Sequence, residues 1–162
     1  RREFERLLNT AMSLETRGQF NEAREWYRLL RRKGEGTDYA DQAADRLARL
    51  DGYLQRAREL YAAGQQAEES QDFQRCFEIY RELLLDYTRT EQARELRLPI
   101  KVHSKPGGAS LRVDGVDMGE TPVVIFVHPF EPTELELTDS RGHVARQVVE
   151  GPLEHDITVV IR

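Results

Sequence analysis

The sequence predicts an α+β protein in two segregated parts. The first part, residues 1–98, is expected to be an all-α antiparallel array of about six helices, and the second, residues 99–162, a small antiparallel β-sandwich. The composition changes near residue 98, because the first proline is Pro99 and the other five prolines follow it. Apolar residues recur at helical spacing before that point, whereas short alternating segments separated by turn sequences follow it.

The overall composition argues against several classes of protein. The net charge is −5, with the acidic excess in the second part, so the basic footprint of a nucleic-acid-binding protein is missing. No apolar run is long enough to span a bilayer. The chain begins with Arg1-Arg2 rather than methionine, so we expect a piece of a longer protein, with any membrane anchor in a segment outside this sequence.

Turn and capping signals divide the first part into six predicted helices, the last of them short. Glycine is expected to end helices, and Thr or Asp to cap their starts. The expected boundaries are Gly18, Gly34 with Gly36, Thr37-Asp38, a break near Asp51-Gly52, and Asp72.

An internal repeat relates two stretches of the helical part. Residues 18–23, followed by Tyr27, match residues 71–76, followed by Tyr80, at an offset of 53 residues. Each stretch ends in a small residue, which suits two helices that cross closely, and the tyrosine is expected to pack across the partner helix. The repeating unit is therefore two antiparallel helices and a third that covers them.

These stretches resemble the tetratricopeptide repeat over roughly residues 4–97. The motif of that family has Gly or a polar residue, an aromatic two positions on, a small residue three further, and Tyr or Phe four further. The resemblance implies a protein- or peptide-binding groove lined by the first helix of each pair. Carried over by position, the expected partner-binding residues are Leu8, Met12, Glu15, Tyr61, Gln65 and Glu68. The alternative is a spacer that holds the β part at a distance.

The second part is expected to form seven short strands. The predicted strands cover residues 100–104, 109–113, 116–118, 123–127, 133–138, 144–149 and 157–161. Asp114-Gly115 is the strongest hairpin signal, because both central residues of that turn need positive φ.

Three ordered motifs in this part, residues 104–109, 113–115 and 119–122, resemble the PEGA family. The resemblance covers essentially all of residues 99–162. It implies a bacterial protein in an extracytoplasmic or cell-envelope setting, with anchoring in the membrane through the segment outside this sequence as one option.

The residues that could carry chemistry are explained by structural roles. The four histidines lack the spacing of metal ligands, and Asp114, Asp117 and Glu120 are explained by hairpin geometry. Cys76 is expected to be a buried structural thiol, because Ala23 takes its place in the other repeat. Trp26 is expected at the rim of a core. The basic stripe from Arg24 to Lys33 is expected to complement the dipole at the C-terminal end of its helix. The sequence thus predicts no catalytic residue, metal or cofactor.

The leading hypothesis is a non-catalytic interaction or scaffold region of a bacterial envelope or surface protein. Its partner is expected to be a protein or peptide, with a cell-envelope component as one option, and not a nucleic acid. One alternative is the extracytoplasmic sensor region of a membrane-anchored bacterial Ser/Thr kinase. Another is carbohydrate or cell-wall binding by the β part, which offers Phe126 and Phe130. With no Gly/Ser-rich linker near Pro99, we expect the two parts to pack together.

Overall fold

The computed structural model describes residues 1–151 and 154–162. In that part of the chain five helices precede seven strands, which confirms the α+β class. The helices are α1 Arg2–Thr16, α2 Phe20–Lys33, α3 Asp38–Glu69, α4 Phe73–Asp86 and α5 Glu91–Arg94. The strands are β1 Leu98–Lys105, β2 Ser110–Val113, β3 Val116–Glu120, β4 Val123–Val127, β5 Thr133–Thr138, β6 Val144–Val149 and β7 Asp156–Val160.

The chain divides into two compact units, Arg1–Glu59 (unit 1) and Leu60–Arg162 (unit 2). This division falls inside α3 rather than at Pro99, because α4 packs directly against β1 within unit 2. The ring of Phe73 in α4 meets that of Phe126 in β4 edge-on at 6.1 Å. The expectation that helices and strands pack together is therefore confirmed for α4.

The predicted break near Asp51-Gly52 is wrong, because α3 runs without interruption from Asp38 to Glu69. Glycine in a helix interior costs only about 1 kcal/mol relative to alanine, and the flanking residues are mostly good helix formers without proline. Gly52 is exposed and a Cβ there would meet nothing within 4 Å, so no contact forces a turn.

Unit 1 has a core drawn from α1, α2 and the first part of α3. The buried side chains in it are Leu8, Ala11, Leu14, Ala23, Tyr27, Leu30, Ala43, Leu47 and Leu50. Trp26 is half-buried and packs against this cluster, as expected for the rim of a core. The third helix therefore covers the first two, as the repeat predicted.

The two repeats end their first helices with the same hydrogen bonds. In unit 1 Gly18 N donates to Glu15 O and Gln19 N to Leu14 O. In unit 2 the residues 53 positions later do the same, since Gln71 N donates to Glu68 O and Asp72 N to Ala67 O. This pair of bonds is the Schellman motif, which needs a left-handed residue after the helix. Gly18 and Gln71 supply it, with φ of 77° and 62°.

Side chains cap the helix starts at the predicted positions. Asp72 Oδ1 accepts from Arg75 N at 3.3 Å at the start of α4. Thr37 Oγ1 accepts from Ala40 N at 3.4 Å at the start of α3. Both bonds satisfy amide groups that have no partner within the helix.

The strands form a three-stranded sheet in the order β4-β1-β7 and a four-stranded sheet in the order β3-β2-β5-β6. Both sheets contribute to one apolar core, as in the predicted sandwich. Its buried residues are Ile100, Val102, Ala109, Leu111, Ile125, Val127, Leu135, Leu137, Val149, Val159 and Ile161. One expectation is wrong: the sandwich is not wholly antiparallel, because β1 and β7 pair in parallel. These strands lie at opposite ends of the β part, so no turn sequence encodes their pairing.

The Asp114-Gly115 hairpin is confirmed between β2 and β3. Its two central residues have φ of 48° and 84°. The Asp114 carboxylate also accepts from Glu134 N at 2.9 Å, which ties the turn to β5. Asp114 is therefore accounted for by turn geometry and by this bond.

Candidate functional site

Helices α3 and α4 approach each other closely where Gly64 of α3 meets Tyr80 of α4. A Cβ at Gly64 would overlap the Tyr80 ring atoms Cδ1 and Cε1. The Tyr80 ring therefore lies directly on the backbone of α3. The same ring stacks with the ring of Tyr61, with centroids 6.2 Å apart and planes inclined by 22°. Tyr80 is 4% exposed, so the packing holds this aromatic pair in place.

A groove of about 730 Å³ opens beside this pair. Its lining combines apolar and aromatic side chains with charges of both signs. The lining residues are Tyr61, Glu68, Tyr80, Glu91, Gln92, Arg94, Glu95, Leu96, Arg97 and Phe126. They come from α3, α4, α5, the segment that follows α5, and β4, so all of the groove lies within unit 2.

Thr90 positions the charged side of the groove. Its hydroxyl accepts from Ala93 N at 3.3 Å and donates to Tyr87 O at 2.7 Å. Thr90 is 1% exposed, and it starts the short helix α5 at a fixed point. Arg94 is the last residue of α5, Arg97 lies just after it, and both side chains are exposed. Among the described residues, no acidic group lies within 4.0 Å of either guanidinium group. The groove therefore presents two guanidinium groups free to bind another molecule.

Tyr80, which lines the groove, and Cys76, which is buried one turn before it in α4, are both uncharged. Burial raises the pKa of Tyr80 far above its usual range, and Cys76, Glu68 and Tyr61 raise it further. Burial likewise raises the pKa of the Cys76 thiol to about 11, with Glu68 adding to the rise. At neutral pH both groups keep their protons, so the charge of the groove comes from its exposed rim. A protonated, fully buried thiol is the structural cysteine that the sequence predicted.

Two of the three partner-binding residues predicted in the second repeat line this groove, namely Tyr61 and Glu68. Gln65 is exposed on α3 but is not among the lining residues. The first-repeat residues have other surroundings. Leu8 is 7% exposed within the core of unit 1, and Met12 is half-buried against that core.

Glu15 has a defined role within unit 1. Its Oε1 accepts from the Tyr27 hydroxyl at 2.8 Å. Glu68 and Tyr80 are the residues 53 positions later, and the Glu68 carboxylate likewise raises the pKa of Tyr80. A glutamate therefore lies near the tyrosine in both repeats, and in the second repeat this glutamate also lines the groove of unit 2.

The sequence did not predict that Arg94, Arg97 and Phe126 line a groove, and it offered Phe126 only as a candidate for sugar binding. Thr90 was the available signal for where the short helix α5 begins, because Thr is a favoured residue at a helix N-cap. No local signal places Phe126, which reaches the groove only because β4 lies beside β1.

The histidines have structural partners in the described chain. The His103 and His143 rings lie 2.8 Å and 3.2 Å from the carboxylates of Asp156 and Asp139. His155 Nδ1 lies 2.9 Å from Pro99 O, and His128 Nδ1 accepts from Phe130 N at 3.3 Å. Residues 1–151 and 154–162 contain no group of three His, Cys, Asp or Glu side chains placed to hold a metal ion.

Three of the five basic side chains in the stripe of α2 are paired with acidic side chains inside unit 1. Arg24 lies 2.7 Å from Asp51, Arg28 lies 2.6 Å from Glu25, and Lys33 lies 3.6 Å from Glu3. Arg31, Arg32 and Lys33 lie in the last turn of α2, as expected for basic side chains that complement the helix dipole.

A second, more apolar groove of about 710 Å³ lies beside α4, lined by residues that include Leu84, Leu85, Leu98, Pro129 and Phe130. Leu85 and Phe130 are exposed at 66% and 73%. Phe126, the other aromatic considered for sugar binding, instead packs on Phe73.

Comparison with known proteins finds no match for this chain among protein-family models, curated proteins or solved structures. Among the helices of the described residues, none combines the length and the apolar character needed to cross a bilayer.

Proposed function

We propose that the chain is a non-catalytic protein-interaction region and that the groove of unit 2 binds a peptide segment of its partner. The observation that carries this proposal is the groove itself, which places a fixed tyrosine pair next to two unpaired arginines. Tyr and Arg are enriched at the centres of protein interfaces, where they supply most of the binding energy.

The charges indicate the kind of peptide that would fit. Arg94 and Arg97 would bind carboxylates, while Glu68, Glu91 and Glu95 would bind a basic side chain. Tyr61 and Phe126 are half-buried and offer apolar contact between these groups. A short segment that carries both charges and an apolar or aromatic residue is the expected ligand.

The tetratricopeptide-like pattern of the helices and the PEGA-like motifs of the β part support the same proposal. Through the latter resemblance we also propose a bacterial, extracytoplasmic or envelope setting for the full-length protein. Fractionation of cells that express the full-length reading frame tests that setting, and recovery of the protein only in the cytoplasmic fraction would argue against it.

Selection of displayed random peptides against the purified chain, followed by affinity measurement, tests the groove. Tyr61→Ala and Arg97→Glu are each expected to weaken a selected peptide at least about tenfold, as for a central interface residue. Arg75→Glu is the matched control, because Arg75 is exposed on α4 and does not line the groove. Selected peptides that bind all of these variants equally would refute the groove as the site.

A further inference from the structure

Strand β6 is an edge of the four-stranded sheet, since β5 is its only strand partner in the described chain. An edge strand presents unpaired backbone groups that another strand can use. The other edge, β3, is less suited to this, because its pairing with β2 is irregular between Leu111 and Arg112 and such bulges disrupt an edge.

Hydrogen bonding fixes which residues of β6 face the open edge. Asp139 N donates to His143 O at 3.0 Å, just before the paired residues of β5 and β6 begin. In an antiparallel ladder, hydrogen-bonded and non-hydrogen-bonded pairs alternate. Counting from this bond, every second residue of β6 directs its backbone groups away from β5. These residues are Val144, Arg146 and Val148.

The pairing of β5 with its other neighbour, β2, leads to the same assignment of which β6 residues face the open edge. Asp114 N donates to Glu134 O at 2.9 Å, so Glu134 and every second residue after it bond to β2. The intervening residues of β5, beginning with Leu135, are left to bond β6. Leu135 is the register partner of Gln147, which leaves the backbone groups of Val148 for the open edge.

The same three residues have exposed side chains on the outer face of the sheet. Val144 and Val148 are 46% and 53% exposed, and the Arg146 side chain is 67% exposed. The buried residue Val149 belongs to the opposite face. An incoming strand would therefore meet backbone groups that have no strand partner within residues 1–151 and 154–162, together with two exposed β-branched side chains at the same positions.

A row of alternating charge crosses the outer face and ends at this edge. In register order the row is Asp117, Arg112, Glu136 and Arg146. Arg146 Nε lies 3.2 Å from Glu136 Oε2, so the last pair is formed. Opposite charges on adjacent strands stabilise a sheet and like charges destabilise it. The next position beyond Arg146 therefore favours an acidic residue.

We propose that β6 binds an extended strand of a partner protein in which an acidic residue is flanked, two positions away on each side, by β-branched apolar residues. The acid would lie opposite Arg146, and the apolar residues opposite Val144 and Val148. A second copy of this chain fits less well. Two antiparallel β6 strands that pair Val144 with Val148 would place Arg146 against Arg146. This surface is separate from the groove of unit 2 and does not depend on it.

A capped seven-residue peptide tests the proposal, with Val at its second and sixth positions, Glu at the fourth and Thr elsewhere. Titrated into the isotope-labelled chain, it is expected to protect the amides of Val144, Arg146 and Val148 from hydrogen exchange. The amides of Ala145 and Gln147, already bonded to β5, should change little. A peptide with Lys at the fourth position is expected to bind roughly fivefold to tenfold more weakly, because a like charge replaces an opposite one.

Three protein variants make the test specific. Arg146→Glu should reverse the preference between the two peptides. Val148→Pro removes an outward N–H without removing a bond to β5 and should abolish binding, whereas Val148→Thr keeps that N–H and should retain binding. If Val148→Pro fails to fold, N-methylation of the peptide's Glu removes the N–H that an antiparallel strand would donate to Arg146 O, and this change should also abolish binding.

Three results would overturn the proposal. The Glu peptide could fail to bind, the Glu and Lys peptides could bind with equal affinity, or binding could survive both Val148→Pro and N-methylation of the peptide. Sedimentation that shows a dimer of the wild type, lost in Val148→Pro, would identify a second copy of the chain as the occupant and would also overturn it.

Discussion

Ser104 at the end of β1 and Thr121 before β4 share a hydrogen bond between their buried hydroxyl groups. Ser104 Oγ donates its proton to Pro106 O at 2.7 Å, because a carbonyl can only accept. The Thr121 hydroxyl must therefore donate to Ser104, while its oxygen accepts from Ala109 N at 3.0 Å. Two of the three motifs that resemble the PEGA family thus meet in one directed chain of hydrogen bonds, which gives these residues a structural role.

We expect Thr121→Val to destabilise unit 2 by about 1–3 kcal/mol, because it leaves the buried Ala109 N–H without a partner. Hydrogen exchange of β1 amides measures this change. Tryptophan fluorescence does not serve, since the only tryptophan, Trp26, lies in unit 1.

Thr158→Val is the matched control, because Thr158 is exposed on β7, and we expect a change below about 0.5 kcal/mol. An equally small loss in the free energy of unfolding in both variants would show that the Ser104–Thr121 hydrogen bond adds nothing to stability.

Gly64 and Gly52 offer a matched pair of substitutions in one helix. Gly64→Ala is expected to destabilise by about 1–3 kcal/mol, because the new methyl group would overlap the Tyr80 ring. Gly52→Ala is expected to stabilise by about 1 kcal/mol, because alanine is the better helix former and nothing lies within 4 Å. Urea unfolding of the two variants measures both changes.

The cause of the Gly64→Ala effect can be separated from a general effect on the helix. With Tyr80→Leu also present, Gly64→Ala should cost less than it does alone, because the ring that it meets is gone. An equal cost in both backgrounds would mean that the contact with Tyr80 is not responsible.

Gln71 carries a left-handed backbone that glycine adopts without strain, as Gly18 does in the first repeat. Gln71→Gly is therefore expected to stabilise unit 2 by about 1 kcal/mol, measured as a shift of the thermal midpoint. Gln66→Gly, five residues earlier inside α3, should instead destabilise by about 1 kcal/mol. A loss of stability in both variants would contradict the assignment of strain to Gln71.

Cys76 reports on the opening of unit 2. Its thiol is buried and its pKa is raised to about 11, so alkylation of the native chain at pH 8 should be slower than that of the urea-unfolded chain by roughly a hundredfold or more. Because the folded pKa lies above the unfolded value of about 8.5, the associated stability is complete below that value. It is lost as the pH rises toward 11.

Mass spectrometry measures this alkylation without ambiguity, because Cys76 is the only cysteine. Native and unfolded chains that label at the same rate at pH 8 would show that the thiol is accessible.

The candidate groove shows how far sequence patterns reach. Tyr61 and Glu68 could be predicted because a repeat motif places them on the first helix of a pair. Arg94 and Phe126 could not, because one follows from where Thr90 starts a four-residue helix and the other from the pairing of β4 with β1. Leu8 occupies the position of Tyr61 in the first repeat and yet is buried, since the motif specifies spacing but not which side chain the neighbouring helices cover.

Local sequence patterns were enough to predict that the helices precede the strands, that Thr37 and Asp72 cap helices, and that Asp114-Gly115 forms a hairpin. Each of these depends on φ preferences and hydrogen bonds between residues a few positions apart, so the local sequence contains the whole cause. The parallel pairing of β1 with β7, the groove beside Tyr80 and the open edge of β6 could be seen only in the three-dimensional structure. These depend on segments far apart in the chain, whose positions follow from the packing of the whole core.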